Sequence, residues 1–142
     1  MITAIELIAE PGGAGRIRET AEVLLLLKSR ADDDWEDVLP DLPAWLTSAF
    51  APERTREESE AWLAQWRVAA DREAFERESG WTASGWIHWF SAENDMWSIA
   101  AVRVDPDGPR LIVDLDHDDF VVPFAAWRWL ARVAGLRVVK EP

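Results

Sequence analysis

Tryptophan content is the feature that most constrains how this chain can fold. Ten of the 142 residues are tryptophan, and the chain contains neither tyrosine nor cysteine. Burying one aromatic side chain removes about 150–250 Å² from water, which contributes at most about 4–6 kcal/mol at about 25 cal/mol per Å². Because disulfides and thiolate metal sites are excluded, the core must depend on such burial. A chain of this length is expected to form a single globular domain over residues 1–142.

The charge distribution bears on the class of partner. The net charge of −12 argues against nucleic-acid binding, which needs a basic surface. Residues 31–60 carry ten acidic side chains against only Arg54 and Arg56. This acidic segment is interpreted either as a solvated face or as a surface that attracts a basic protein.

The expected location is the cytoplasm of a bacterium. The N-terminus shows no basic region typical of a signal peptide, and the longest apolar run, Val23–Leu27, is too short to span a membrane. Thirteen arginines against two lysines suggest a GC-rich genome.

The N-terminal half is predicted to be mainly helical. Ile2–Ala9 fits either a strand or a helix. Thr55 and Glu58 form a capping-box pattern that predicts a long helix ending near Ser79, with Gly80 beyond it. Asp34 is expected to cap a short turn that begins at Trp35. The predicted helices cover residues 16–29, 35–39, 43–50, 55–79 and 82–91.

The C-terminal half changes to a strand pattern. Met96–Val104 and Arg110–Asp116 are predicted to form an antiparallel hairpin around the turn Asp105–Pro109. Pro123 suits the start of a last helix that ends near Ala134, before Gly135. A short strand over residues 136–139 is optional. The predicted class is α+β, with a helical N-terminal half, a β-β-α C-terminal half and helices packed on a small antiparallel sheet.

Two surface patches are candidates for a protein interface. In the last helix, Trp129 lies roughly 160° from Trp127 at 100° per residue, so both are not expected to enter one core. Trp129 shares its side with Val133 and Arg132, a combination typical of interface hot spots. The alternative is that another element covers this side. Trp35, within the acidic segment, is a second interface candidate.

A ligand pocket and a metal site are the two candidates for chemistry. Trp86, His88 and Trp89 could form an apolar pocket around a histidine, although a histidine there is also compatible with a structural role. Asp114 and Asp116 are predicted to project from one face of a strand. With His117 and Asp118, in the segment 114–119, they could bind a divalent cation. The alternative is that these aspartates only face water.

A resemblance covers residues 81–135. It rests on Gly80-Trp81, Gly85-Trp86, Trp97, Arg128-Trp129-Leu130 and Ala134-Gly135. In these residues the chain resembles uncharacterised proteins of high-GC actinobacteria. The resemblance implies a bacterial protein, and it carries over neither an activity nor a functional residue.

The function expected from the sequence is non-enzymatic protein binding, without a cofactor. The partner would be a protein, either a basic one or a second copy of the chain, and an immunity-like inhibitor of a basic toxin is a specific form of this hypothesis. The alternative is a small domain or enzyme that binds a ligand or a divalent metal through Trp86, His88 and Trp89 or through the segment 114–119.

Overall fold

A mixed α+β fold is built around a four-stranded antiparallel sheet. The computed structural model describes residues 1–12, 15–106, 110–118 and 124–140, without the side chain of Lys140. The strands are β1 (Ile2–Ala9), β2 (Trp97–Val104), β3 (Arg110–His117) and β4 (Leu136–Lys140). The helices are α1 (Arg16–Ser29), α2 (Trp35–Val38), α3 (Ala44–Thr47), α4 (Arg56–Val68), α5 (Arg72–Ser79), α6 (Ala83–His88) and α7 (Ala125–Ala134), with a short 3₁₀ turn over Leu39–Asp41. The predicted α+β class is confirmed.

The strand order in the sheet is β2-β3-β1-β4, so β1 is an inner strand. The segment that the sequence left open between strand and helix is therefore a strand. Ile5 and Leu7 are fully buried and pair with Val113 and Leu111 of β3. Because side chains alternate along a strand, this pairing places four apolar residues on the face that packs against the helices.

An aromatic cluster forms the middle of the core. Its six rings form a chain of contacts with centroids 4.5–5.8 Å apart. The rings belong to Phe50, Trp86, Phe90, Trp97, Trp127 and Trp129. Tilted and offset arrangements at these distances are the favourable ones for aromatic pairs. The cluster connects α6, α7, β2 and the segment after α3.

The long helix predicted over residues 55–79 is two helices, so that prediction is wrong. The chain leaves α4 after Val68, and the side chain of Asp71 accepts a hydrogen bond from the backbone N–H of Ala74 to cap α5. The guanidinium of Arg72 also donates to the carbonyls of Trp66 and Arg67 at the end of α4. These polar contacts end one helix and begin the next.

The hairpin of α4 and α5 contributes no buried residue to the core. Trp62 packs on Phe75 with ring centroids 5.4 Å apart, and the indole N–H of Trp66 donates to Glu76 at 3.0 Å. Trp62 and Trp66 lie four residues apart on α4 and therefore share one of its faces. In the structure they hold the two helices of the hairpin together.

Several local predictions near the helix ends are confirmed. Gly80 and Gly135 follow α5 and α7 with positive φ angles of 73° and 75°, which glycine adopts without steric cost. Part of the predicted turn, residues 107–109, lies outside the described residues, as does the predicted helix start at Pro123. The described helix α7 begins at Ala125.

The capping box at the start of α4 has the geometry that the sequence predicted. The Glu58 N–H donates to the Thr55 hydroxyl, and the Thr55 N–H donates to the Glu58 carboxylate, both at 3.1 Å. Hydrogen bonding to the carboxylate, first by the Thr55 backbone N–H and then by the Thr55 side-chain hydroxyl, lowers the pKa of Glu58 below its ordinary value. A lowered folded-state pKa means that this stabilisation is present above the unfolded-state pKa and is lost as pH falls through the folded-state value.

We predict that an NMR titration will find the Glu58 carboxyl ionising below the usual glutamate range. Thr55→Ala should raise this pKa partway, because the backbone donor remains, and should destabilise α4 by about 1 kcal/mol. Amide exchange in α4 should then become faster while exchange in α1 stays unchanged. An unaltered Glu58 pKa in the variant would contradict the assignment.

Candidate functional site

The first interface candidate, on α7, is not an outer patch. Trp129 is only 6% exposed, its ring stacks on Phe50 at 5.1 Å, and it lies 5.5 Å from the ring of Trp86. The expectation that Trp127 and Trp129 would not enter one core was wrong, because both rings belong to the aromatic cluster. The expected exposure of Trp129 was wrong as well, because Phe50 and Trp86 pack against its ring.

The neighbours of Trp129 on α7 do not form a patch with it. Val133 is half-buried and packs against the core, whereas Arg132 is exposed. The predicted combination of Trp129, Arg132 and Val133 is therefore divided between core and surface.

The candidate ligand pocket at Trp86, His88 and Trp89 is not an apolar pocket in the structure. Trp86 is completely buried, and its indole N–H donates to the carbonyl of Ala126 at 3.1 Å. Trp89 is half-buried against the core. The exposed His88 ring lies 3.4 Å from the carboxylate of Glu93. His88 lines a cleft of about 400 Å³ whose lining includes neither Trp86 nor Trp89.

The metal candidates do not converge on one point. Asp114 accepts from Arg103 through both carboxylate oxygens at 3.0 and 3.1 Å, and Asp116 lies 3.4 Å from the N-terminal amine of Met1. His117 is on the opposite, buried face of β3, because strand residues alternate. Within the described residues, no group of three His, Asp or Glu side chains is placed to hold a metal, and Asp119 lies outside them.

His117 has structural partners at both ring nitrogens. Nδ1 lies 2.6 Å from the carbonyl oxygen of Asp118, which can only accept, so Nδ1 carries a proton. Nε2 lies 2.7 Å from the hydroxyl of Thr3. In the neutral ring this nitrogen accepts from Thr3, and its lone pair is occupied. His117 therefore has a structural role, because its hydrogen bond with Thr3 links β3 to β1.

Trp35, the remaining interface candidate, is half-buried and lies at an acidic cleft of about 400 Å³. The cleft lies between the segment after α1 and the segment after α6. A backbone hydrogen bond from Ala92 to the carbonyl of Ala31 at 2.8 Å joins the two segments. The carboxylates in its lining belong to Asp32, Asp33, Asp34 and Glu93. His88 and Trp35 provide the aromatic surface.

A second cleft, of about 520 Å³, also has Trp35 in its lining. It is lined mainly by apolar residues, including Leu39, Leu42 and Phe50. Trp35 therefore forms a wall shared by an acidic cleft and an apolar cleft. Such a surface can accept a cationic side chain next to an apolar one.

Arg30 fixes the backbone that carries the acidic cleft. Its guanidinium bonds to the carboxylate of Asp33, to Asp41 at 2.6 Å and to the carbonyl of Asp37 at 3.1 Å. The hydrogen bond with Asp33 and then that with Asp41 raise the pKa of Arg30 above its ordinary value. These contacts hold the segment 31–41 as a compact loop around one cation.

Half of the ten acidic side chains in residues 31–60 have structural partners. Those with partners are Asp33 and Asp41 (Arg30), Glu53 (Ser84), Glu58 (Thr55) and Glu60 (Arg56). Among the described contacts, the side chains of Asp32, Asp34, Glu36, Asp37 and Glu57 have none. Asp34 was expected to cap α2, but its side chain makes no capping bond. Four of the five unpartnered acids therefore lie within two residues of Trp35 or at the cleft beside it.

Sequence reasoning reached Trp35 only through its position in the acidic run. It missed the contribution of Glu93 and His88, which come from the far side of the cleft. It also treated all ten acids alike. Arg30 is followed by aspartates three and eleven residues later, Asp33 and Asp41. This spacing is the signal that could have distinguished carboxylates that pair with Arg30 from carboxylates without a partner.

Comparisons with protein-family models, with curated proteins and with solved structures found no match to this chain. In the part of the chain that the structure describes, no helix has the length and apolar character needed to cross a membrane.

We predict that Trp129→Ala will lower the free energy of unfolding by about 3–5 kcal/mol, because it removes a buried ring of the aromatic cluster. Val68→Ala, at a side chain that is 84% exposed, should stay within about 0.5 kcal/mol of the parent. Urea unfolding followed by far-UV circular dichroism avoids the loss of a fluorophore. Equal stability of Trp129→Ala and the parent would show that Trp129 is not part of the core.

We also predict that Arg30→Gln will loosen the loop over residues 31–41. Amide hydrogen exchange should accelerate at Asp33, Val38 and Leu42, whose N–H groups bond within this loop, while α7 stays protected. Arg18→Gln, at an exposed arginine of the preceding helix α1, is the control. Unchanged exchange in the loop would show that the Arg30 contacts do not maintain it.

Proposed function

We propose that this protein is a non-enzymatic binding module that recognises a basic partner protein through the acidic cleft at Trp35. One observation carries the proposal: carboxylates without internal partners surround a half-buried tryptophan that borders both an acidic and an apolar cleft. The proposal moves the contact surface from α7, where Trp129 is buried, to the loop that Arg30 holds.

The physical basis is complementarity to a lysine or arginine side chain. A cation about 4 Å from one carboxylate gains about 4 kcal/mol at the effective dielectric of a protein surface, before its own desolvation is subtracted. Contact with the face of Trp35 adds about 0.5–1 kcal/mol at an exposed site. The wider net charge of −12 increases the rate at which a basic protein approaches.

An immunity-like inhibitor of a basic toxin is the specific form of this proposal. Its support is the same acidic surface, since tight inhibition of a basic enzyme requires fast and charge-steered association. Such a pair would act in the bacterial cytoplasm.

The alternative, a ligand- or metal-binding domain or an enzyme, has less support. Trp86 is sealed in the core, and Asp114 and Asp116 are engaged by cations of the chain itself. No described contact favours it over protein binding.

The test is capture of partners by the immobilised protein and by a double variant, Asp32→Asn with Asp34→Asn. The substitutions keep size and remove two charges that have no internal partner. Partners bound at about 0.1 M salt should be lost at about 1 M, where the Debye length falls from about 10 Å to about 3 Å. The double variant should bind the captured and purified partner at least about tenfold more weakly at low salt.

Glu57→Gln is the matched control, because Glu57 is an exposed acid without a partner that lies on α4, away from the cleft. A photo-reactive residue at position 35 should crosslink the same partner, and one at position 68 should not. Binding that is equal in the double variant and in the control would exclude the Trp35 cleft as the site. A captured partner that is acidic would exclude the charge argument.

A further inference from the structure

A third cavity, of about 430 Å³, lies between α7 and β4 and shares no residue with the acidic cleft. Three arginines line it: Arg128 and Arg132 from α7, and Arg137 from β4. Arg128 and Arg132 are four residues apart, so their side chains leave the helix on the same face. Three guanidinium groups in one cavity are unexpected in a chain with a net charge of −12.

Two carboxylates lie beside these arginines. Glu73 lies 3.1 Å from Arg128, and Glu10 lies 3.6 Å from Arg137. Arg77 of α5 also acts on the site, because its positive charge lowers the pKa of Arg132.

Arg132 is the arginine of this cavity whose side chain is available to a ligand. Its side chain makes no hydrogen bond or ion pair within the described part of the chain. Partial desolvation, followed by repulsion from Arg77, lowers the pKa of Arg132, while Glu73 acts in the opposite direction. Although the Arg132 side chain is exposed, an added anion beside these like charges would stabilise its charged form.

We propose that this cavity binds a phosphate monoester, with Arg132 as the main contact and Arg128 and Arg137 beside it. A phosphate monoester carries a charge of about −1.5 to −2 near pH 7, which the arginines that line the cavity are suited to bind. Guanidinium groups bind phosphate oxygens with two parallel hydrogen bonds. The volume lies within the range of about 300–1,000 Å³ for small-molecule sites and leaves room for the organic part.

The other explanation for these arginines is the helix dipole, which favours cations in the last turn of a helix. That effect accounts for a basic residue at position 132. It does not account for Arg137, which reaches the same cavity from β4. The dipole also requires no anion, so the two explanations differ in their response to phosphate.

The experiment is calorimetric titration of the protein with inorganic phosphate, glycerol phosphate and a phosphoserine peptide at constant ionic strength. We expect saturable binding of at least one ester. Tighter binding of glycerol phosphate would identify the ligand as a metabolite, and tighter binding of the phosphoserine peptide would identify it as a protein. Arg132→Gln should weaken this binding at least about tenfold, and Arg132→Lys should weaken it less because the charge remains. Binding should also weaken between about pH 7.5 and about pH 5.5, as phosphate loses its second charge near pH 6.

Arg67→Gln is the matched control, because Arg67 occupies the last turn of α4 and lies outside the cavity. It should bind the ester like the parent. Far-UV circular dichroism checks that each variant is folded. The proposal is overturned if neither ester binds saturably, or if Arg132→Gln and Arg67→Gln bind the ester equally well.

Discussion

The burial of Trp86 is the interaction on which the rest of the structure depends. Its ring contacts Phe50, Phe90 and Trp129, so it joins the segment after α3, the end of α6 and helix α7. Its indole N–H donates to the carbonyl of Ala126, which satisfies the one polar group that burial would otherwise strand. Removing this residue would open the contact between α6 and α7 and leave the aromatic cluster without its central ring.

The aromatic cluster also determines which surfaces remain available for binding. Because it uses Trp129 and Trp86 internally, neither can anchor a partner. The loop around Arg30 lies outside the cluster and combines a half-buried Trp35 with carboxylates that have no internal partner. The cavity between α7 and β4 has the opposite charge. The two proposed sites therefore differ in sign, in elements and in the chemistry that they can recognise.

Much of the local structure was predictable because its causes lie within a few residues. The Thr55 capping box, the glycines at 80 and 135 and the alternation in β3 act over one turn or one strand, and all appear as expected. The break between α4 and α5 was missed because Asp71 competes as a cap inside a pattern that otherwise favours helix. The burial of Trp129 was missed because helical phase gives direction but not what covers that direction.

The sequence by itself determined the α+β class, the ends of several helices and the excess of acidic charge in residues 31–60. These follow from periodicity, from capping chemistry and from simple counting. The tertiary structure alone decided which tryptophans are core and which acids are free, because both depend on partners distant in sequence. Phe50 packs on Trp129, which is 79 residues away in the sequence. Glu93 lines the same cleft as Asp32 and Asp34, although it is about 60 residues further along the chain. Burial and charge pairing are properties of assembled elements, so one segment read alone cannot specify them.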